Sequence, residues 1–250
     1  MKDINWLLNI PIAHRGCHSS DIPENSIGAF SEAIKQGFNI ELDVHKTKDD
    51  VLIVFHDNNL FRLTSFNKIV EDCTYSEIQK LVLNKSNERI PTFKNVLDYV
   101  NGKVGLLIEI KQHPNVGKLE ELISQNLDTY KGNFAVQSFD PLILKWFYKN
   151  RPLYIRGQLS SGLKGEKISF LKKFLLQNLI VNLISRPDFV SYNYVYLNVW
   201  IKFVSIIFQV PIIVWTVHDA DTARKVRRTA QNIIFEGFQY KNSDPKKNKV

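Results

Sequence analysis

Residues 38–44 read FNIELDV, a short run that follows Gly37 and ends before a cluster of charged side chains. Side chains alternate across a strand, so Glu41 and Asp43 share one face while Ile40, Leu42 and Val44 share the other. Such a strand needs apolar cover on one side and positive charge on the other, because two like charges buried together are very costly without compensation. A parallel barrel meets both demands, with helices over the apolar face and a lumen for the acids.

Working outward, comparable runs recur at 10–14 (IPIAH), 104–110 (VGLLIEI), 134–138 (FAVQS), 153–159 (LYIRGQL), 187–192 (PDFVSY), 211–217 (PIIVWTV) and 232–236 (NIIFE). Helix-like spacing fills most of the intervals, at 25–37, 92–102, 116–127, 141–150, 167–185, 197–209 and 219–230. Asn25 is a candidate N-cap with Gly37 as the stop, Thr92 and Gly102 bracket the next helix, and Pro141 suits a first helical turn. Eight strands alternating with helices in 250 residues predict an α/β fold, a (β/α)8 TIM barrel forming a single domain over 1–250. The same alternation would also build an open doubly wound sheet.

One stretch breaks the rhythm. After Val44 the chain reads HKTKDDVLIVFHDNNLFRLTSFNKIVEDCTYSEIQKL. DVLIVFHD after a Lys-Asp-Asp turn predicts a hairpin partner for the second strand, and 51–87 reads as a small insertion with a short helix over 75–81. An insertion at a barrel strand's carboxyl end lies on the catalytic face.

The net charge is +8, from 33 Lys and Arg against 25 Asp and Glu. Part of it lies in RKVRR (224–228) and part in a tail, 241–250, expected to be flexible. No aromatic-interleaved basic stripe accompanies the charge, so a solvated surface is expected and no nucleic-acid partner. Cys17 and Cys73 form no framework and no C-x-x-C, which argues against disulfides and structural zinc. The opening apolar stretch is short for a signal peptide, and no run reaches the ~18 apolar residues of a membrane span. A cytoplasmic protein is expected, without stable membrane insertion and with at most weak contact at a membrane surface.

Glu109 and Lys111 in IEIK repeat the two-apart device of Glu41 and Asp43. Three carboxylates converging on one mouth suit a hard divalent cation, Mg²⁺ or Ca²⁺. The alternative is an acid–base network satisfied by Lys111 and Arg15 alone. Acids two apart on one strand are too close to flank a glycosidic bond. His14 ends the first strand and His56 the hairpin, so both imidazoles are expected beside the acids as proton donor and acceptor. Arg15 and Lys111 offer donors to phosphate oxygens. Metal, guanidinium, ammonium and two imidazoles describe phosphoryl-group chemistry on a small-molecule substrate.

HRG (14–16), PENS (23–26), IELDV (40–44), TKDD (47–50) and VFHDNNLFRLT (54–64), followed by IPTF, LLIEIK, VQSFD and VWTV, resemble the glycerophosphodiester phosphodiesterases. These are a metal-dependent barrel family related to phosphatidylinositol-specific phospholipase C. The resemblance implies hydrolysis of glycerophosphodiesters to sn-glycerol 3-phosphate and an alcohol. It implies Glu41, Asp43 and Glu109 as ligands of one divalent cation, His14 and His56 as the acid/base pair, and Arg15 and Lys111 as holders of the phosphodiester. Glu24 and Asn25 match a loop around the site, the insertion matches one covering the glycerol side, and Phe139 and Trp215 match aromatic positions near the mouth. Hydrolysis of lysophospholipids, and a barrel retained only for ligand binding, are the alternative activities. The chain departs from the family pattern at its last strand, where Phe235-Glu236 stands. His18 reads as a loop residue and Cys17 as structural.

Overall fold

A computed structural model describes residues 2–162 and 169–240 of the chain. Strand β2 (Asn39–Lys46) pairs in parallel with β1 (Ile12–Ala13) and β4 (Leu106–Ile110), and antiparallel with β3 (Leu52–Val54). From β4 the sheet continues through β5 (Phe134–Ser138), β6 (Ile155–Ser160), β7 (Phe189–Asn193), β8 (Ile212–Val217) and β9 (Asn232–Phe235), each parallel to the last. Strand β9 returns to β1, and the β1–β2 pairing closes eight parallel strands into a barrel, with β3 outside it. The closed ring excludes the open doubly wound alternative.

Among the described residues the α-helices are α1 (Asn5–Asn9), α2 (Ile27–Gln36), α3 (Phe61–Thr64), α4 (Tyr75–Ile78), α5 (Phe93–Val100), α6 (Lys118–Leu127), α7 (Pro141–Asn150), α8 (Phe170–Gln177), α9 (Asn182–Ser185), α10 (Val199–Phe208) and α11 (Ala220–Val226). Ile40, Leu42 and Val44 point outward under them and pack with Phe30 of α2 and Phe93 of α5. Inside the barrel, Ile12, Leu107, Ala135, Ile155, Phe189, Ile213 and Ile234 form a separate apolar layer. Gly157 leaves the space that the Phe189 ring fills, since a Cβ there would collide with it.

Helix α1 was not foreseen from the sequence. It closes the amino-terminal end of the barrel with Leu7 buried in the inner layer. Asn39 donates to the carbonyls of Trp6 and Ile10, and Asn232 to those of Leu7 and Ile10, so the plug's free carbonyls find partners.

Some boundaries differ from expectation. Helix α2 is capped by Ser26, whose side chain accepts from the Ala29 N–H at 3.1 Å; Asn25 is left-handed (φ 54°), with its amide turned to other use. The single helix expected over 167–185 is two, α8 and α9, broken at Leu179 (φ 59°), and residues 167–168 lie outside the described residues. The helix expected over 75–81 stops at Ile78, and that over 116–127 starts at Lys118, where Glu120 caps the Gly117 N–H. The tail at 241–250 lies outside the described residues. The insertion packs its own small core of Ile53, Phe55, Leu60, Val70, Cys73 and Ile78, and both cysteines are free.

Candidate active site

Parallel pairing of β2 with β4 sets Asp43 opposite Glu109, with Glu41 one inward position earlier. The three carboxylates each offer an oxygen within 4.8 Å of the others, and Glu41 and Asp43 are 1% exposed. The outward positions pack under helices, so the alternation that divides FNIELDV into two faces is what delivers the acids.

Cations surround the cluster on its polar side. The Lys111 ammonium lies 2.6 Å from Asp43 Oδ1 and 2.6 Å from Glu109 Oε1. The Arg15 backbone N–H donates to Glu41 Oε2 at 3.1 Å, its Nε lies 3.4 Å from Asp43 Oδ2, and its Nη1 donates to Glu24 at 2.7 Å. Asn25 donates to Asp43 Oδ2 at 2.9 Å. The turn that aims Arg15 needs left-handed backbone at Arg15 (φ 55°) and Gly16 (φ 81°). A Cβ on Gly16 would sit 2.8 Å from the Ala29 backbone, so only glycine fits after the guanidinium.

These contacts separate the acids. Burial opposes ionisation of Asp43, but Lys111 and Arg15 override it and hold the carboxyl well below the usual range. Burial and the Asp43 charge push Glu41 up to about 8. Two cationic side chains, one of them shared with Glu24, thus face three acids, and the three carboxylates each offer an oxygen close enough to the others to hold one cation together.

Two imidazoles complete the setting. His14 Nδ1 lies 2.5 Å from Glu236 Oε2, and its Nε2 is 4.0 Å from Glu41 Oε2. Burial lowers the His14 pKa, but Glu236 and Glu41 outweigh it and the net shift is upward. The same hydrogen bond, overcoming burial, draws Glu236 down to about 2. His56 Nδ1 lies 2.6 Å from Asp57 Oδ1. Asp57 accepts from Arg62, which donates to Glu24, which accepts from Arg15, so an ionic chain ties the insertion to the turn after β1.

His14, Arg15, Glu41, His56, Glu109 and Lys111 all open on one cavity of about 180 Å³, with Asp43 behind them. Its far wall includes Phe139 and Trp215, whose rings meet edge to face with centroids 5.8 Å apart. The structure therefore brings together every candidate side chain named from the sequence. Gln137 and Thr216 also line the cavity and were missed. Gln137 pairs with Glu109 in register and precedes Phe139 by two, so the alternation of FAVQSF carried its signal. Gln137 Oε1 and Trp215 Nε1 are buried and lack hydrogen-bond partners among the described residues. His18 lies in the loop between β1 and α2, as read, and its Nε2 is 3.6 Å from Glu236 Oε1, the carboxylate that also engages His14.

The sequence model of the Glycerophosphoryl diester phosphodiesterase family matches residues 14–236. The chain is 43% identical over 137 residues to the Bacillus subtilis protein YhdW, covering 51% of this chain and 56% of that one. It is 44% identical over 108 residues to a glycerophosphodiester phosphodiesterase of Caldanaerobacter subterraneus, covering 40% and 44% of the two chains. The alignment thus spans about half the length of these curated relatives. The crystal structure of a glycerophosphodiester phosphodiesterase from Thermotoga maritima superposes with a TM-score of 0.72 at 28% identity, covering 90% of this chain and 93% of that one. Among the described residues, no helix is long and apolar enough to cross a membrane.

Proposed function

The chain belongs to the glycerophosphoryl diester phosphodiesterase family, and on that premise we propose that it hydrolyses glycerophosphodiesters to sn-glycerol 3-phosphate and the freed alcohol. In this reading Glu41, Asp43 and Glu109 hold one Mg²⁺ or Ca²⁺, and His14 and His56 are the general acid and base. The observation that carries it is the opening of two carboxylate-anchored imidazoles onto the same cavity as three clustered acids.

Each histidine has its Nδ1 engaged by a carboxylate, Glu236 for His14 and Asp57 for His56. That leaves Nε2 of each as the nitrogen that exchanges protons with substrate. One imidazole takes the proton of the attacker as the phosphorus–oxygen bond forms, whether that attacker is water or the neighbouring glycerol hydroxyl, whose cyclic phosphate a water then opens. The other donates a proton to the alkoxide as the opposite bond breaks. Arg15 and Lys111 draw the phosphodiester anion into the cavity and keep it against the acids, which would otherwise repel it. A bound dication polarises a phosphate oxygen and lowers the pKa of the attacking oxygen. Phe139 and Trp215 flank the small glycerol moiety.

A substrate panel assayed for glycerol 3-phosphate release tests reaction and cofactor together. After chelation, adding back Mg²⁺ or Ca²⁺ should restore turnover of glycerophosphocholine, and His14→Ala or His56→Ala should each lose roughly 10²–10⁴ in rate. Full activity in excess chelator, or near-normal turnover by either variant, refutes the assignment. No turnover at all, with flat calorimetric titrations of both ions, would favour a barrel that only binds ligands.

A further inference from the structure

Outside the cavity, helices α8, α9 and α10, which cover β6 and β7, carry a broad apolar surface with no protein cover among the described residues. Phe170 is 85% exposed, Val199 82%, Ile206 74% and Leu183 66%. Helix α10 reads VWIKFVSIIF and buries only Ile201, Val204 and Ser205, so an almost wholly apolar helix has most of its surface in solvent. Helices of this composition are normally enclosed, and contiguous apolar patches of this kind on a monomer mark interaction surfaces. Between α9 and α10 runs an apolar groove of about 160 Å³ walled by Leu183, Trp200, Phe203 and Ile207.

Charge identifies the occupant. Lys172, Lys173 and Lys202 sit on these helices, and none is in an ion pair among the described residues. From residue 169 to 217 the chain contains a single carboxylate, Asp188, which is already paired with Lys2 and Arg156. A two-fold contact with a second copy would bring these lysines together with no acid between them. An anionic bilayer takes both components: apolar and aromatic side chains enter the headgroup–acyl boundary while lysines reach the phosphates.

We infer that the α8–α10 face is a docking surface for an anionic phospholipid bilayer. Helix α8 follows β6 and α10 follows β7 in the chain, so both begin on the side of the barrel where the strands' carboxyl ends and the acids lie. A bilayer held there presents the phosphodiester of a single-chain lipid to the site; this consequence rests on the proposed hydrolysis, whereas the docking does not.

Co-sedimentation of the full chain with vesicles tests it. Vesicles of phosphatidylcholine mixed with phosphatidylglycerol should bind the protein, and added salt should weaken the binding. Lys172→Gln, Lys173→Gln and Lys202→Gln together should lower the partition coefficient roughly a hundredfold, from the contribution of each lysine near the surface. Val199→Ser with Ile206→Ser should also weaken it, and both variants should keep wild-type circular dichroism and wild-type turnover of soluble glycerophosphocholine. Three results would each overturn the inference: no binding to mixed vesicles, equal salt-independent binding to pure phosphatidylcholine, or self-association abolished by the Val199/Ile206 variant. Vesicle binding without turnover of any soluble diester would instead refute the hydrolytic reading and leave the docking surface standing.

Discussion

Replacing Glu236 with Gln removes one charge from behind His14 and leaves the shape nearly unchanged. In the wild type, Nδ1 of His14 and a carboxylate oxygen lie 2.5 Å apart, and the carboxylate holds the imidazolium above its ordinary pKa against the penalty of burial. The amide oxygen of Gln still accepts from Nδ1–H, so the tautomer survives and only the charge assistance is lost. A hydrogen bond to a charged group contributes about 1.5–3 kcal/mol and a neutral one about 0.5–1.5. The difference is on the order of 1–2 kcal/mol, roughly a factor of ten in rate or equilibrium. Glu236→Gln should therefore lower the His14 pKa and slow turnover at neutral pH roughly ten-fold or somewhat more. The pH profile of kcat/KM for glycerol 3-phosphate release should show its His14 limb displaced to lower pH, and the His14 ring proton should follow it in an NMR titration. A variant with a wild-type profile and unchanged His14 titration would show that Glu236 is not coupled to the imidazole. A proportionate fall at all pH values with no NMR shift would point to simple misfolding of the last strand.

Three further perturbations test other contacts. Lys111→Met leaves Asp43 and Glu109 without the ammonium between them, and breaking a buried pair of this kind costs about 3–5 kcal/mol; added Mg²⁺ or Ca²⁺ should raise the variant's Tm by more than it raises the wild type's, and equal increments would refute the metal assignment. His113 donates to the buried Glu120 at 2.8 Å, and that bond raises the imidazole pKa above 6.5 despite partial burial. Its contribution is fully present below the unfolded pKa and is lost as pH rises through the raised folded value. Wild type should therefore lose its stability advantage over His113→Gln as pH climbs from the middle sixes upward, measured as the Tm difference against pH. Phe189→Ala empties the space above Gly157 in the inner layer and should cost about 3–5 kcal/mol in urea unfolding while sparing activity per folded molecule.

The barrel was legible because its information is periodic. FNIELDV and VGLLIEI each divide into an outward apolar set and an inward polar set, and parallel pairing then brings Asp43 beside Glu109 with no further information. His14 and His56 were legible as strand-end residues next to that cluster. Features without a period escaped. Helix α1 is too short for any repeat to register, and only the partner carbonyls of Asn39 and Asn232 reveal its seat. The break at Leu179 interrupts a segment whose composition is continuously helix-forming, so nothing local announced it. His18 lies in an irregular turn, and its approach to Glu236 depends on closure between the first and last strands, a contact across 218 positions of chain.

The ionic chain Arg15–Glu24–Arg62–Asp57 has a consequence for anyone who would re-engineer the cavity's preferences. His56 sits on a segment whose loop extends outside the ring of strands, and Arg62, itself held to Glu24, braces it through Asp57. Exchanging 51–87 for the corresponding segment of another barrel transplants half of a mated joint. Unless the donor brings its own arginine at the place of Arg62 and meets an acid at the place of Glu24, the graft folds yet leaves the His56 imidazole out of alignment. Swaps in this region should be drawn to include 23–26 as well, treating the two loops as one exchangeable cassette.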